Sequence, residues 1–365
     1  MIYKNILRPI LFLIDPEKIH DIATYAGKIA GKIGPIKYLL SVFYNYKHSA
    51  LVQTVDGIKY QNPIGLAAGF DKDAHLTQVL PSMNFGFEEI GSVTALPCSG
   101  NPKPRLWRLP KQKSLVVYYG LKNGGAHEIA SKLQKLKFSF PLGISIAKTN
   151  CKETADVDVA IKDYYESFII LKKYADYIAI NISCPNAYGG EPFTSKERLD
   201  KLLTKLDTVD YQKPRYIKVS PELSLEQIDE LIEVADKHKI SGFIIGNLVK
   251  NREELNVPEK EFAKVGKGGI SGKLTVKASN EMISHVYKKT QGKYTIIGCG
   301  GVFTAEDAYE KIKAGASLIQ LITGMIYEGP SMMKRTNKGL VKLLRRDGYK
   351  NISEAVGVGN REKNL

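Results

Sequence analysis

Short apolar runs alternate with longer stretches of helical periodicity through most of this chain, and only the N-terminal segment, residues 1–50, breaks the rhythm. The runs occupy residues 63–68, 89–93, 142–146, 177–180, 216–219, 242–245, 295–297 and 317–321. Each has the length of a strand, and the segments between them are mostly long enough for a helical crossover. Eight such units over the roughly 250 residues the fold requires predict the α/β class and, within it, a (β/α)8 TIM barrel. An open, doubly wound sheet is the competing arrangement. Its GxGxxG fingerprint is missing, because the nearest candidate, Gly298-Cys299-Gly300-Gly301, has Phe303 where the last glycine would stand.

A barrel of this kind presents its site at the C-terminal ends of the strands, so each run should lead into residues able to touch a ligand. Gly69-Phe70-Asp71-Lys72 follows the first run, Thr94 the second, Lys148 the third and Asn181 the fourth. Ser220 follows the fifth, Gly246-Asn247 the sixth, Gly298-Cys299-Gly300-Gly301 the seventh and Thr323-Gly324 the eighth. Glycines after strands seven and eight suit a phosphate held by backbone N–H groups, although tight turns alone would also use them. Residues 268–273 look superficially like a nucleotide P-loop, but Lys267 and Leu274 break that pattern. The stretch reads as a second glycine loop lying over the phosphate. Lys218, inside the fifth run, reads as a buried cation facing an electron-rich ring, and Lys72 as a partner for a carboxylate.

The segment 1–50 carries apolar residues at helical spacing. After the run 10–14, Asp15 is placed to cap a helix with Pro16 at its first position. Ile19, Ile22, Ala23, Ala26, Ile29, Ala30 and Ile33 then fall on one face, with Lys18, Lys28 and Lys32 outside it, and Gly34-Pro35 is expected to stop the helix. No stretch reaches the twenty or so apolar residues of a spanning helix, and no signal-peptide pattern follows. Two short amphipathic helices can either lie in a bilayer interface or pack on the main domain. The expected organisation is a helical extension over 1–50, a barrel over 51–345 and a tail over 346–365.

Charge and cysteine usage narrow the function. The formal charge of +15 comes from Lys and Arg spread along the chain without an Arg-rich block, which argues against nucleic acid and leaves anionic ligands or a membrane surface. Cys98, Cys151, Cys184 and Cys299 form no CxxC pair, so neither a cluster nor a zinc site is expected and a reducing, cytoplasmic setting fits. The six His residues show no triad or metal spacing. The densest chemistry is Asn181-Ile182-Ser183-Cys184-Pro185-Asn186: two amides able to clamp a planar, imide-like ligand, and a thiol able to take a proton if nearby cations or amides lower its pKa. A buried small cysteine beside a turn is the plainer alternative.

These residues resemble the dihydroorotate dehydrogenase family over nearly the whole chain, and in particular its quinone-dependent, membrane-associated class 2. The resemblance rests on residues 15–20, on Asn62-Pro63-Ile64-Gly65-Leu66-Ala67-Ala68-Gly69-Phe70-Asp71-Lys72-Asp73, and on Ile90-Gly91-Ser92-Val93-Thr94. Residues 100–108, 268–273 and 297–302 match as well. It implies oxidation of dihydroorotate to orotate in pyrimidine biosynthesis, with FMN as cofactor, a membrane quinone as acceptor, and peripheral attachment to the cytoplasmic face of the cell membrane. Carried over position by position, it implies Cys184 as the base that removes the C5 proton. Ala68, Gly69, Ser92, Ser145, Asn181, Lys218, Gly246, Gly272, Gly301, Ile322 and Thr323 would surround FMN. Lys72, Gly120, Leu121, Asn181, Asn186 and Asn247 would hold the substrate, with Lys72 on its carboxylate.

The chain also departs from that pattern. Class 2 members have Ser at the position of Cys184, and Cys is the class 1 habit; the loop 187–193 also resembles class 1. Residues 117–123 stand where the family has Asn-Arg-x-Gly-Phe-Asn-Asn, so a substrate-contacting Asn is Val117. Ser145, Gly246 and Leu248 replace an Asn and two Thr, and Tyr118 and Tyr119 offer hydroxyls in compensation. These changes keep two alternatives open: the same flavin chemistry on another small reduced acid or heterocycle, and a catalytically silent, membrane-binding relative.

Overall fold

The computed structural model describes residues 2–255, 257–263 and 265–361. Eight parallel strands close into a barrel: β1 (Ile64–Leu66), β2 (Phe87–Val93), β3 (Leu142–Ile146), β4 (Tyr177–Asn181), β5 (Arg215–Val219), β6 (Gly242–Ile245), β7 (Thr295–Cys299) and β8 (Leu318–Leu321). Neighbours in sequence are neighbours in the barrel, and β8 pairs with β1 to close it. Each expected run contributes one strand. The runs are almost continuously apolar because both faces of these strands are buried.

The side-chain period of two sorts those faces. Outward-facing residues such as Ile144, Ile178, Ile217, Phe243 and Ile296 pack under the surrounding helices. Inward-facing Phe87, Tyr177, Tyr216, Ile244, Ile297 and Leu318 fill the lower lumen with Tyr60 and Val55 from a hairpin, Gln53–Val55 and Ile58–Tyr60, that plugs this end. The aromatic layer needs glycine opposite it: an added Cβ on Gly65 would sit 2.4 Å from the Phe87 ring, and one on Gly143 would sit 2.1 Å from that of Tyr177. One layer higher the lumen turns polar, with Glu89, Lys218 and Gln320 all buried.

Two features of the upper face were not expected. A three-stranded antiparallel sheet of Leu106–Leu109, Ser114–Val117 and Gly269–Gly272 covers part of the mouth. Residues 269–272 are therefore a strand, not a glycine loop, because the backbone of Ser114–Val117 supplies a ladder for them to pair with.

The N-terminal helices α1 (Arg8–Leu13) and α2 (Pro16–Ala30) lie over the same end, and α3 (Gly34–Tyr44) packs against Leu80–Met83 ahead of β2. Asp15 caps α2 as expected, its side chain accepting from Lys18 N at 2.9 Å, with Pro16 in the first turn. Gly34-Pro35 does not stop α2, which has already ended at Ala30; it opens α3, because a proline that lacks an N–H fits a first turn. The expected apolar face of α2 is turned outward: Ile22, Ile29 and Ile33 are exposed, while Glu17, Thr24 and Gly31 are buried. Small residues set that orientation, since a Cβ on Gly27 would lie 2.3 Å from Leu76 Cδ2 and one on Gly31 3.0 Å from Gln78 Cβ. Polar pins do the rest. Arg105 grips Glu17 with Nε at 3.1 Å and Nη2 at 2.8 Å, Arg108 Nη1 donates to Phe12 O and Ile14 O, and Arg8 Nη1 donates to Tyr327 O. No helix among the described residues is long and apolar enough to cross a membrane.

The expected tail, residues 346–365, lies outside the described residues beyond 361. Before that point it packs on the barrel, with Ile352 and Ala355 buried and Gly357 N donating to Ile312 O at 3.0 Å.

Candidate functional site

A cavity with an empty volume of about 1260 Å³ opens at the C-terminal ends of the strands, between the barrel, the small sheet and α2. Of the residues expected to act on cofactor, substrate or proton, all but Ser145 line it, whereas Thr94, Lys148 and Ser220, which follow three of the strands, do not. Ser145 is fully buried and stands one hydrogen bond behind the wall, its Oγ 2.8 Å from Ser92 Oγ, because a side chain that short does not reach past Ser92. Of the two compensating tyrosines, Tyr119 lines the cavity with its hydroxyl unpartnered, whereas Tyr118 is not among the lining residues.

The floor is an amide and hydroxyl network. Asn181, the last residue of β4, donates through Nδ2 to Ser92 Oγ at 2.8 Å and accepts from Ser183 at 3.3 Å. Asn247, just past β6, donates to Ser183 O at 2.7 Å and Ser183 Oγ at 2.8 Å. Asn186 donates to Val117 O at 2.8 Å. Three amides are thus held in fixed orientations on one side of the cavity, and Ser183, which the sequence reading passed over, ties two of them together.

Lys218 reaches up from the polar layer of the lumen. Its Nζ is 3.0 Å from Glu89 Oε1, and the other oxygen of Glu89 accepts from Gln320 Nε2 at 2.7 Å and Tyr177 OH at 3.2 Å. Glu89 was read only as part of a strand. Two adjacent glutamates in an otherwise apolar run were the available signal, since a carboxylate is rarely fully buried without a partner.

Lys72 sits at the opposite side, under α2. Its Nζ donates to His20 Nε2 at 3.2 Å and lies 3.9 Å from the centroid of the Tyr119 ring. No carboxylate is within ion-pair distance of it among the described residues. Burial, reinforced by the nearby Lys122, lowers its pKa to about 8. Burial and the same two lysines hold His20 well below the usual histidine range, so its ring is neutral and free to accept from Lys72. A cation kept in a desolvated position without a carboxylate is a receptor for an anionic ligand. No triad or metal spacing singled out His20 in the sequence; its place on α2 beside Lys72 brings it into the cavity.

Cys184 lines the cavity beside Lys148, whose Nζ donates to Tyr188 O. The condition set for it in the sequence, a thiol pKa lowered by nearby cations or amides, is not met. Burial pushes the thiol up to about 11, and the Asn186 N–H and Lys148 only partly oppose this. The glycine-rich end is formed by Gly272, Gly300 and Gly301, with Ser271 Oγ and Thr323 Oγ1 2.9 Å apart beside them. Backbone and hydroxyl donors there, a lysine at mid-cavity and amides along one wall make a donor set suited to a phosphate-bearing cofactor with a flat, polar ring. Leu106, Leu115, Val302 and Ile326 supply an apolar boundary.

Fold and cavity together define a (β/α)8 barrel with a ligand site built at the C-terminal mouth of its strands. Comparison with known proteins is more specific. The profile of the family described as dihydroorotate dehydrogenase matches residues 50–344. The protein named dihydroorotate dehydrogenase (quinone) of Trichodesmium erythraeum is 38% identical over 382 aligned positions, spanning 99% of each chain. Its namesake from Christiangramia forsetii is 40% identical over 345 positions, spanning 93% of this chain and 99% of that one. Among solved structures, that of Eimeria tenella DHODH in complex with ferulenol superposes with a TM-score of 0.80 at 28% identity, covering 95% of this chain and 96% of its own. The chain belongs to the dihydroorotate dehydrogenase family.

Proposed function

We propose that the cavity binds FMN and dihydroorotate side by side, and that Cys184 is the base of the reaction. The enzyme oxidises dihydroorotate to orotate in pyrimidine biosynthesis and is of the quinone-dependent kind. The observation that carries the site assignment is the convergence of Lys218, the three asparagines, Lys72 and Cys184 on one cavity. When bound, FMN supplies the acceptor for the hydride that leaves C6 and the carrier that returns electrons to quinone.

The chain's own groups do the rest. Lys72 receives the substrate carboxylate, and Asn181, Asn186 and Asn247 offer amides to the pyrimidine edge. Cys184 Sγ takes the proton from C5. Ala68, Gly69, Ser92, Gly246 and Lys218 face the flavin ring, Gly272, Gly301, Ile322 and Thr323 its phosphate side, and Gly120 and Leu121 close over the substrate. Ser145 acts on the ring only through Ser92. The division into an extension over 1–50 and a barrel from 51 fits this reading.

Peripheral attachment to the cytoplasmic face of the membrane is part of the proposal. Ile22, Ile29, Ile33, Leu39, Val42 and Phe43 on α2, α3 and their connection are exposed, as befits helices lying in a bilayer interface with lysines at their flanks. His20 on α2 lines the cavity, so a quinone arriving from this layer would meet the flavin chamber from that side.

A second reading rests on Val117 and Leu248, which put apolar surface into the cavity where hydrogen-bonding residues were expected: the same chemistry on a different small reduced acid. Anaerobic mixing of the yellow protein with dihydroorotate separates the two. Loss of the flavin absorbance, restored by a quinone analogue, is the expected result; flavin that stays oxidised with dihydroorotate and bleaches with another acid would favour the second. Protein that cannot be loaded with FMN would reject both.

A further inference from the structure

Behind the glycine-rich end of the cavity lies a cation that the proposed reaction does not use. Lys311, on the helix Ala305–Ala314, is 1% exposed, and its Nζ donates to Ser279 Oγ at 2.9 Å and to Asn280 Oδ1 at 2.7 Å. No carboxylate is ion-paired with it among the described residues; Asp307, on the same helix, is held by Lys273 at 2.6 Å. Burial lowers the Lys311 ammonium to about 8 against the weaker opposing fields of Cys299 on β7 and of Asp307 and Glu310 on its own helix, while Lys273 pushes it further down. A buried ammonium resting on neutral acceptors is costly unless an anion nearby offsets it.

Its position says where that anion would be. Ser279 Oγ, which accepts from Lys311, donates to Cys299 O at 2.6 Å. A Cβ added to Gly300 would stand 2.9 Å from Thr275 Oγ1 and 3.4 Å from Ser279 Cβ, and Thr275 Oγ1 donates to Gly272 O at 2.9 Å. Thr275 reaches the cavity edge, and Ser279 and Lys311 stand behind the wall that Gly272, Gly300 and Gly301 present to the cavity. We propose that Lys311 is a fixed counter-charge for the phosphate of the bound flavin, acting from behind the glycine wall through Ser279 and so favouring a phosphorylated over an unphosphorylated flavin. The inference rests on the flavin reading above and makes Lys311 a positioning residue, since it touches neither cofactor nor substrate. In a partly desolvated wall of effective dielectric about 20, a charge acting on a dianion across a layer of backbone still changes its affinity by more than about tenfold. A dianion would also raise the Lys311 pKa, so FMN binding at pH 8 draws in part of a proton.

The test titrates apoprotein with FMN and with riboflavin at pH 8, for wild type and Lys311→Met, and measures proton uptake by calorimetry in two buffers of different ionisation enthalpy. Lys311→Met should weaken FMN by about tenfold or more, leave riboflavin unchanged and abolish the uptake. Equal weakening of both flavins, undiminished FMN affinity or retained uptake overturns the proposal. Wild type that binds neither flavin rejects the flavin reading instead. Should Lys311→Met not fold, Lys311→Gln, which removes the charge but keeps a donor for Ser279 and Asn280, replaces it, with the same selective loss of FMN expected and an equal effect on both flavins contradicting it.

Discussion

The barrel and the N-terminal helices use the same residue types in opposite ways. In the barrel, Ile144, Ile180 and Ile217 are fully buried, and Glu89 and Lys218 pair within the lumen. In the helices, Ile22, Ile29 and Phe43 face outward, and the contact with the barrel is made by glycines and by Glu17 with Arg105. Ordinary folding logic explains the first arrangement completely. The second is the arrangement that the proposed attachment to a bilayer surface would use, since it leaves apolar side chains free for an apolar cover.

That contrast can be broken at several points. The largest expected effect comes from the buried pair. Glu89→Ala strands Lys218 without its partner and takes an acceptor from Tyr177 and Gln320, which should cost about 3–5 kcal/mol in denaturant unfolding. A loss below about 1 kcal/mol would mean that the lumen admits enough water to solvate the cation. Next comes the same kind of side chain in the two settings. Ile180→Ala should cost about 2–5 kcal/mol of stability, whereas Ile22→Ser should stay within about 0.5 kcal/mol and instead weaken binding to lipid vesicles. Equal stability losses would place α2's apolar face in the core after all.

Smaller effects concern the cavity. Lys72→Met removes the cation expected to meet the substrate carboxylate, for which a charged hydrogen bond of about 1.5–3 kcal/mol predicts a KM higher by roughly 10–150-fold with the fold intact. The pH dependence separates two groups. As the proposed base, Cys184 acts as thiolate, and burial pushes its thiol up to about 11, so the rate of flavin reduction at saturating substrate should climb from neutral pH by up to about tenfold per unit. Lys72, with its pKa near 8, loses its charge above that pH, so KM should rise over the same range. A rate that is flat with pH would argue for another base.

Much of this molecule was legible in its sequence, for identifiable reasons. A parallel barrel strand buried on both faces leaves an apolar run that no loop imitates, so all eight strands could be placed. Residues directly after those runs had to be near the mouth, which is why Asn181, Gly246 and Thr323 fell in the cavity. What escaped depends on relations between distant segments. That residues 269–272 pair with Ser114–Val117 is invisible in either segment alone. The outward turn of α2 is set by Gly27 and Gly31 meeting Leu76 and Gln78, a contact that periodicity does not encode. His20 escaped for the same reason, since its partner Lys72 is 52 positions away. The direction of the Cys184 thiol's pKa could not be read from the motif, because it follows from burial, which the motif does not carry.

The division of labour between the two regions is the central claim: the proton is handled in the barrel at Cys184, and quinone is met at the helical layer. Rapid mixing of Cys184→Ala measures both halves in one protein. Flavin reduction by dihydroorotate should slow by about 10²–10⁴-fold, while flavin reduced beforehand with dithionite should be reoxidised by a quinone analogue at the wild-type rate. Reduction by dihydroorotate at an undiminished rate, or equal slowing of both halves, would contradict the account.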